Sequence, residues 1–200
     1  ILFAMPNNTK VTITIDGESL TRFSRVVIHQ KVHTHHKFSL LQPLPKEFVE
    51  EAIDKAKNYI GKPIQIKIDA VHTTADAAFV FNGVITETEM VRTAGSSGGI
   101  IINGYSPTIL MEGPPNIRSF NDMTLGDVVN DVLKSYPQGQ LKPKVQIDKD
   151  KSMQYTVQYA ESVFSFVCRM AQKKGQWLYF NGEELNFGKP NSKNFTLEYG

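Results

Sequence analysis

Residues Tyr155–Pro190, YTVQYAESVFSFVCRMAQKKGQWLYFNGEELNFGKP, constrain the fold most, because three local signals follow one another without a gap. Ser162 is placed to cap a helix, and Val163, Phe166, Val167, Met170 and Ala171 recur at the three-and-four spacing that gathers apolar side chains on one helical face. Lys173 and Lys174 suit the negative C-terminal end of the helix dipole, and Gly175 supplies a left-handed stop. Gln176–Phe180 and Glu184–Gly188 are then short aromatic-rich strands joined through Asn181-Gly182, a pair that tolerates the positive φ of a tight turn. The helix has to pack on this hairpin, and Trp177, the sole tryptophan, is expected to be buried between them.

Upstream, Val11, Ile13 and Ile15 alternate with Thr12 and Thr14 before an Asp16-Gly17 turn, the pattern of a half-buried strand. Residues 22–41 are rich in strand formers over more than a typical strand length, which predicts a bent or bulged strand ended by Pro43 and Pro45. Lys46–Ile60 is amphipathic, with Phe48, Val49, Ala52, Ile53, Ala56 and Ile60 on one face and Gly61 closing the helix. Ile64–Val71 and Ala77–Val91 alternate as strands, the second interrupted by Gly83, where another backbone is expected to approach closely. Thr93–Gly99 is then a hairpin tip, and Ile100–Asn103 resumes the sheet. These pieces predict a small barrel or rolled sheet around one helix over residues 1–105. After Pro107 the pattern changes. Thr124 caps a helix whose apolar face is Leu125, Val128, Val129, Val132, Leu133 and Tyr136, Leu141–Pro143 is a turn, and Val145–Ile147 and Gln154–Gln158 are short strands. Residues 106–190 are therefore expected to form a small α+β domain. Phe195–Tyr199 begins another strand, so 191–200 is expected to start a further strand or domain. The first residue, Ile rather than Met, suggests a piece of something longer.

The run from Gln158 to Pro190 presents Gln-Tyr, Glu-Ser, a helix, Gly-x-Trp, a hairpin and Phe-Gly in that order. In this it resembles the VgrG spike proteins of type VI secretion and the related baseplate hubs of contractile phages. The resemblance continues in FNGVIT (Phe81–Thr86), GYSPTIL (Gly104–Leu110) and RSFNDMTLGDVVNDVL (Arg118–Leu133), and so covers most of the chain from the first helix onward. Val163 and Ser165 stand where many relatives carry acidic residues, so the reciprocal capping box is lost. The resemblance implies an α+β hub-like fold: a tube-type β-barrel domain with one packed helix, followed by the small α+β domain. It also implies a structural, non-enzymatic protein that forms a homotrimer at full length, sits on a ring-shaped tube protein and carries effector or adaptor proteins. Such proteins assemble in the cytoplasm and are expelled into a target cell. A phage or tailocin baseplate hub is the alternative within the same architecture.

Little in the sequence points to other chemistry. The 22 basic and 20 acidic residues leave a net charge of +2, which provides no electrostatic footprint for nucleic acid. No run approaches the ~20 apolar residues of a membrane-spanning helix, and Ile1–Met5 is too short for a signal-peptide core. Cys168 is the only cysteine, so no internal disulfide can form; beside the apolar helix face it is expected to be a buried, inert thiol. Gly95-Ser96-Ser97-Gly98-Gly99 satisfies the G-x-S-x-G pattern of a nucleophile elbow, but Ile100–Ile102 favour a strand where an elbow requires a helix. His29, His33 and His35 have the even spacing of one strand face, with His36 on the other. Zinc needs three or four convergent ligands, so such a site would need His72 or a carboxylate as well, and imidazoles on a wet strand face need no metal. The acidic pairs Glu50-Glu51, Glu87 with Glu89, and Glu183-Glu184 fit a helix's outer face, a wet strand face and a hairpin tip. Trp177, Tyr179 and Phe180 could stack on sugar, but alternating aromatics in a hairpin more simply pack on the neighbouring helix. No catalytic, cofactor or metal residue is assigned. A rival of another class is a hydrolase, zinc-dependent through the histidines or carried beyond residue 200.

Overall fold

The computed structural model describes residues 9–44, 54, 56–70, 78–92 and 98–190. Alternating β-branched residues build its first part as seven strands: β1 (Thr9–Ile15), β2 (Glu18–Ser19), β3 (Arg25–His29), β4 (Lys37–Leu44), β5 (Pro63–Ala70), β6 (Phe79–Arg92) and β7 (Gly98–Tyr105). They pair antiparallel in the order β2-β1-β5-β6-β7-β4-β3. Register places apolar residues side by side: Ile13 faces Ile66, Ile66 faces Phe81, and Leu40 faces Ile102. Because β1 and β4 share one buried cluster although three strands separate them, the sheet rolls onto its own inner face. Among the described residues no ladder joins β2 to β3, so side-chain packing rather than backbone pairing closes the roll. Each fully buried Ile, Leu or Phe contributes about 1.5–3 kcal/mol relative to exposure.

The approach expected at Gly83 is present. A Cβ there would lie 3.0 Å from the Tyr105 carbonyl and 2.9 Å from the Phe38 ring, and at Gly104 the same ring would be 2.6 Å away. The Phe38 ring therefore sits against two glycines, which leave it the room a side chain would fill. The bulge between Ile85 and Glu87 re-aims this end of β6.

The second part holds a two-stranded ribbon, β8 (Asn116–Thr124) with β10 (Ser152–Glu161), and a three-stranded sheet. In that sheet β12 (Leu185–Gly188) lies between β11 (Trp177–Phe180), antiparallel, and β9 (Pro143–Gln146), parallel. Three helices accompany them: α1 (Leu125–Leu133), the single turn α2 (Gln138–Leu141) and α3 (Val163–Lys173). The predicted caps form, with Thr124 Oγ1 accepting from Asp127 N at 3.2 Å and Ser162 Oγ from Ser165 N at 3.1 Å. Asp150, unforeseen in the sequence, accepts from Leu125 N and Gly126 N at 3.0 and 2.8 Å and so binds two more orphan donors of α1. The predicted apolar faces of both helices are buried in one cluster with Met111, Phe120, Leu178, Phe180 and Phe187, while Tyr136 is partly buried against it. Gly175 takes the left-handed φ of +61° that ends α3. Among the described residues, no helix is long and apolar enough to cross a membrane.

Several expectations are corrected. Residues 22–41 are not one bent strand but β3 and β4 around an irregular loop, because His33 adopts φ +61° and turns the chain. Pro43 does not end β4. Its missing N–H costs little, since β3 pairs only with Lys37–Leu41 and leaves that side open. The parallel β9–β12 pair had no sequence signal. Trp177 is not buried against α3: it is 47% exposed, and Leu178 and Phe180 take the inward positions. Ile60, assigned to an apolar face, is 53% exposed in the turn after the helix. Of the predicted Lys46–Ile60 helix, Asp54, Ala56 and Lys57 are helical with Ala56 buried; most of its other residues, like Phe195–Tyr199, lie outside the described residues.

Candidate functional site

Titratable and hydroxyl side chains converge where the loop Gln30–His36 meets the second core. The loop is held by its backbone. His33 N donates to Leu178 O at 2.8 Å, and the Cys168 thiol lies 3.6 Å from the His33 carbonyl. His35 stacks on Phe164 of α3, with centroids 3.7 Å apart and planes at 27°, and meets the edge of Tyr105. Its Nδ1 lies 2.8 Å from Thr108 Oγ1 and its Nε2 3.1 Å from Glu112 Oε1. Thr108 Oγ1 is 2.7 Å from Ser106 Oγ, which accepts from His36 N at 3.2 Å.

Donor logic fixes the direction of every bond in this chain. A carboxylate only accepts, so His35 Nε2 carries the proton. Burial pulls the His35 pKa down, and this outweighs the opposing hydrogen bond and charge of Glu112; Lys37 pulls it further down. The ring is therefore neutral at pH 7, and Nδ1 accepts from the Thr108 hydroxyl. Thr108 then accepts from Ser106, and Ser106 from His36 N–H. Burial pushes the Glu112 carboxyl up, yet hydrogen bonds from Ser162 and His35 leave it below the ordinary range. His36 is buried and also lowered by burial, against a hydrogen bond to the Lys31 backbone, and its Nδ1 sits 3.3 Å from Gln30 Nε2.

Carboxylate, imidazole and hydroxyl in series have the connectivity of a nucleophile and its base. The geometry denies them that chemistry. Thr108 is 2% exposed and uses its remaining bond on Ser106, so no substrate carbonyl can reach its oxygen. What the series does is clasp the rolled sheet to the second core. A second contact repeats this at the hairpin tip, where Asn82 N and Nδ2 both donate to Gly182 O, at 2.8 and 3.0 Å.

Among the described residues, the histidines singled out in the sequence do not converge as a ligand set. His29 is exposed at the end of β3, and His33 and His35 do not share a strand face. His72 lies outside the described residues, and among those described no three His, Cys, Asp or Glu side chains come together to hold a metal. Gly95–Ser97 also lie outside, but Gly98 and Gly99 already belong to β7. Glu50 and Glu51 are outside as well; Glu87 accepts from Asn103 on the wet face, and Glu183 is exposed in the hairpin loop. The Cys168 thiol is pushed up to about 12, by burial first and by the charge of Glu112 second, which makes it inert. Ser106, Thr108 and Glu112 were missed because their partner His35 lies 73 residues from Thr108 and 77 from Glu112.

Comparison with known proteins places this arrangement. The family described as phage tail baseplate hub (GPD) matches residues 48–189, a span that contains Ser106, Thr108, Glu112, α3 and the Gly182 tip. Among solved structures, a tail protein from Neisseria meningitidis is similar at 14% identity with a TM-score of 0.66, over 90% of this chain and 50% of that one. A component of the E. coli type VI secretion system, itself described as similar to phage T4 tail proteins, is 15% identical with a TM-score of 0.59, over 88% of this chain and 48% of that one. The lidded PdpA–VgrG complex of Francisella is 12% identical with a TM-score of 0.59, over 90% of this chain and 28% of that chain. The chain thus spans half or less of the length of these three relatives. No curated protein matches the sequence.

Proposed function

The chain belongs to the phage tail baseplate hub family, and from that premise we propose that it forms the non-catalytic hub section of a VgrG-like spike in a contractile injection machine. Its role is structural. In the proposal, residues 1–105 and 106–190 are two domains, the first a tube-like barrel facing the inner tube and the second joined rigidly to it. The full-length protein is a homotrimer seated on a ring-shaped tube protein. It assembles in the cytoplasm, carries effector or adaptor proteins, and leaves the cell with the tube.

The observation that carries this reading is the family match over 48–189, which contains Ser106, Thr108 and Glu112 of the clasp and both Asn82 and Gly182 of the tip contact. A hub transmits axial load between tube and tip, so its halves must not swing. The clasp and the tip contact meet that need with hydrogen bonds among four separate stretches of chain rather than with a flexible linker. The hydroxyl end of the acid–base–hydroxyl series, Thr108, is buried and bonded on both sides, which also supports a non-enzymatic part. The partner protein of the Francisella VgrG complex supports cargo binding by analogy of fold alone.

In the native host, deletion of the gene is expected to abolish sheathed tubes in electron micrographs, and the full-length protein is expected to sediment at three times its subunit mass. Intact, firing-competent machines in the deletion strain would refute the hub role. A monomer at micromolar concentration would refute the trimer. Genes for capsid proteins next to this one would favour a phage hub over a secretion spike.

A further inference from the structure

Beside the clasp lies a cleft of about 770 Å³, the size of a site for a short peptide. Its floor is apolar: Tyr105, Ile109 and Phe164. Its rim is basic: His29, Lys31, His33 and Lys37. Among the described residues neither Lys31 nor Lys37 has a carboxylate partner, and Lys37 Nζ instead stands 5.5 Å over the Tyr105 ring. Glu112, the acid that faces His35, is committed to that ring. Glu87 lines the adjoining groove with His29 and Lys37 and takes a hydrogen bond from Asn103.

His33 adds an independent observation. Its backbone is held at φ +61°, a conformation costly for a residue with a Cβ, by the contacts to Leu178 and Cys168. Its Nδ1 is buried and has no hydrogen-bond partner. Buried polar atoms are almost always paired, so an orphan atom in a residue with a costly backbone conformation marks this wall of the cleft as a place where the fold accepts an energetic cost.

We propose that this cleft docks an extended acidic segment of a partner protein, with carboxylates on Lys31, Lys37 and the histidine rim and an apolar side chain over Phe164 and Ile109. Charge complementarity selects the occupant: the floor requires apolar contact, and the two lysines of the rim, beside the uncharged Gln30, Thr34 and His33, are cations with no carboxylate partner among the described residues. A nucleic acid would need a basic surface beyond the cleft, which the net charge of +2 does not supply. The inference goes beyond the hub role and does not depend on it.

The test uses the 200-residue chain and a fluorescein-labelled eight-residue peptide alternating Glu and Leu, read by fluorescence anisotropy at pH 7 and low salt. The expected result is saturable binding that weakens at least tenfold in the Lys31→Glu, Lys37→Glu double variant. The Lys134→Glu, Lys173→Glu variant carries the same net charge away from the cleft and is expected to bind within threefold of the unchanged protein. All four lysines are exposed, and Lys31→Gln with Lys37→Gln serves as a milder pair should charge reversal lower stability. Equal losses in the two Glu double variants, equal binding of a Lys–Leu peptide, or displacement of the peptide by an equal concentration of inorganic phosphate would each overturn the proposal. The first two would indicate unspecific attraction, and the third a site for small anions.

Discussion

Replacing Gly182 by Ala attacks the tip contact at its narrowest point. The hairpin loop Asn181–Glu184 is folded by Asn181, whose Oδ1 accepts from Glu183 N and Glu184 N at 2.9 and 2.8 Å, and Gly182 follows at φ +112°. A Cβ on Gly182 would lie 1.9 Å from the Val80 carbonyl oxygen, a backbone atom in a ladder strand that cannot swing aside. The hairpin must retreat. Retreat breaks both hydrogen bonds from Asn82 to Gly182 O, at about 0.5–1.5 kcal/mol each. The φ itself costs a residue with a Cβ about 1–3 kcal/mol. Gly182→Ala is therefore expected to destabilise by about 2–6 kcal/mol in urea unfolding. Asn82→Ala removes one of the two bonds and is expected to cost about 1 kcal/mol. In the double variant the two effects should fall short of their sum, because Gly182→Ala has already broken the Asn82 contacts. Gly139→Ala is the control: nothing lies within 4 Å of its Cβ position and its φ is ordinary, so no loss is expected. A Gly182→Ala midpoint within error of the Gly139→Ala midpoint would refute the argument that the tip is locked to β6.

Thr108→Val leaves His35 Nδ1 without its donor and the Ser106 hydroxyl proton without its acceptor, and is expected to cost about 1–3 kcal/mol in the same assay; a neutral result would mean the series contributes nothing to stability. His33, His35 and His36 all have pKa values lowered from 6.5 by burial, so the unfolded chain takes up their protons first. Stability is thus expected to be full above about pH 6.5 and to fall as the pH drops below it, with a further loss below the ordinary range of Glu112, whose pKa is lowered too. Urea midpoints that stay flat or rise from pH 7 to pH 5 would contradict this. With its thiol at about 12, Cys168 is expected to resist a disulfide reagent at pH 8 in the native protein and to react at once in denaturant, and rapid native labelling would refute its burial. Trp177→Ala is expected to cost under about 1 kcal/mol and Leu178→Ala about 2–5 kcal/mol, with Trp177 fluorescence readily quenched by iodide; the reverse order would mean that the faces of β11 are exchanged.

The two helices were legible because their signals are local. A cap, five apolar residues at helical spacing and a glycine stop specify α3 without reference to anything distant. The rolled sheet was legible for the same reason, through strict alternation in β1 and β5. Trp177 failed where alternation is weakest. A four-residue strand with apolar residues at every position carries no parity of its own, and Leu178 and Phe180 face inward because α3 and β12 choose them. The ribbon β8–β10 was obscured by Ile117, Tyr155 and Tyr159, large apolar residues that are 63–71% exposed and so break the expected pattern. The clasp was not legible at all. Its histidines look like a strand face until the chain turns at His33, and that turn is stabilised by contacts to residues far along the sequence.

That distance bears on how the protein comes into being. The clasp joins residues 73 and 77 positions apart, the hairpin tip is tied across 100, and the Cys168–His33 contact spans 135. As the polypeptide leaves the ribosome at about 5–20 residues per second, the sheet can roll early, but the loop Gln30–His36 has nothing to grip until α3 and the hairpin have emerged. During that interval the Phe38 side of the roll is complete while Tyr105 and the loop lie open, an unclosed seam on a nascent chain. Seams of this kind are closed late because loop-closure entropy must be overcome first. The final docking is therefore expected to be the slow step of folding, and the one most open to premature self-association.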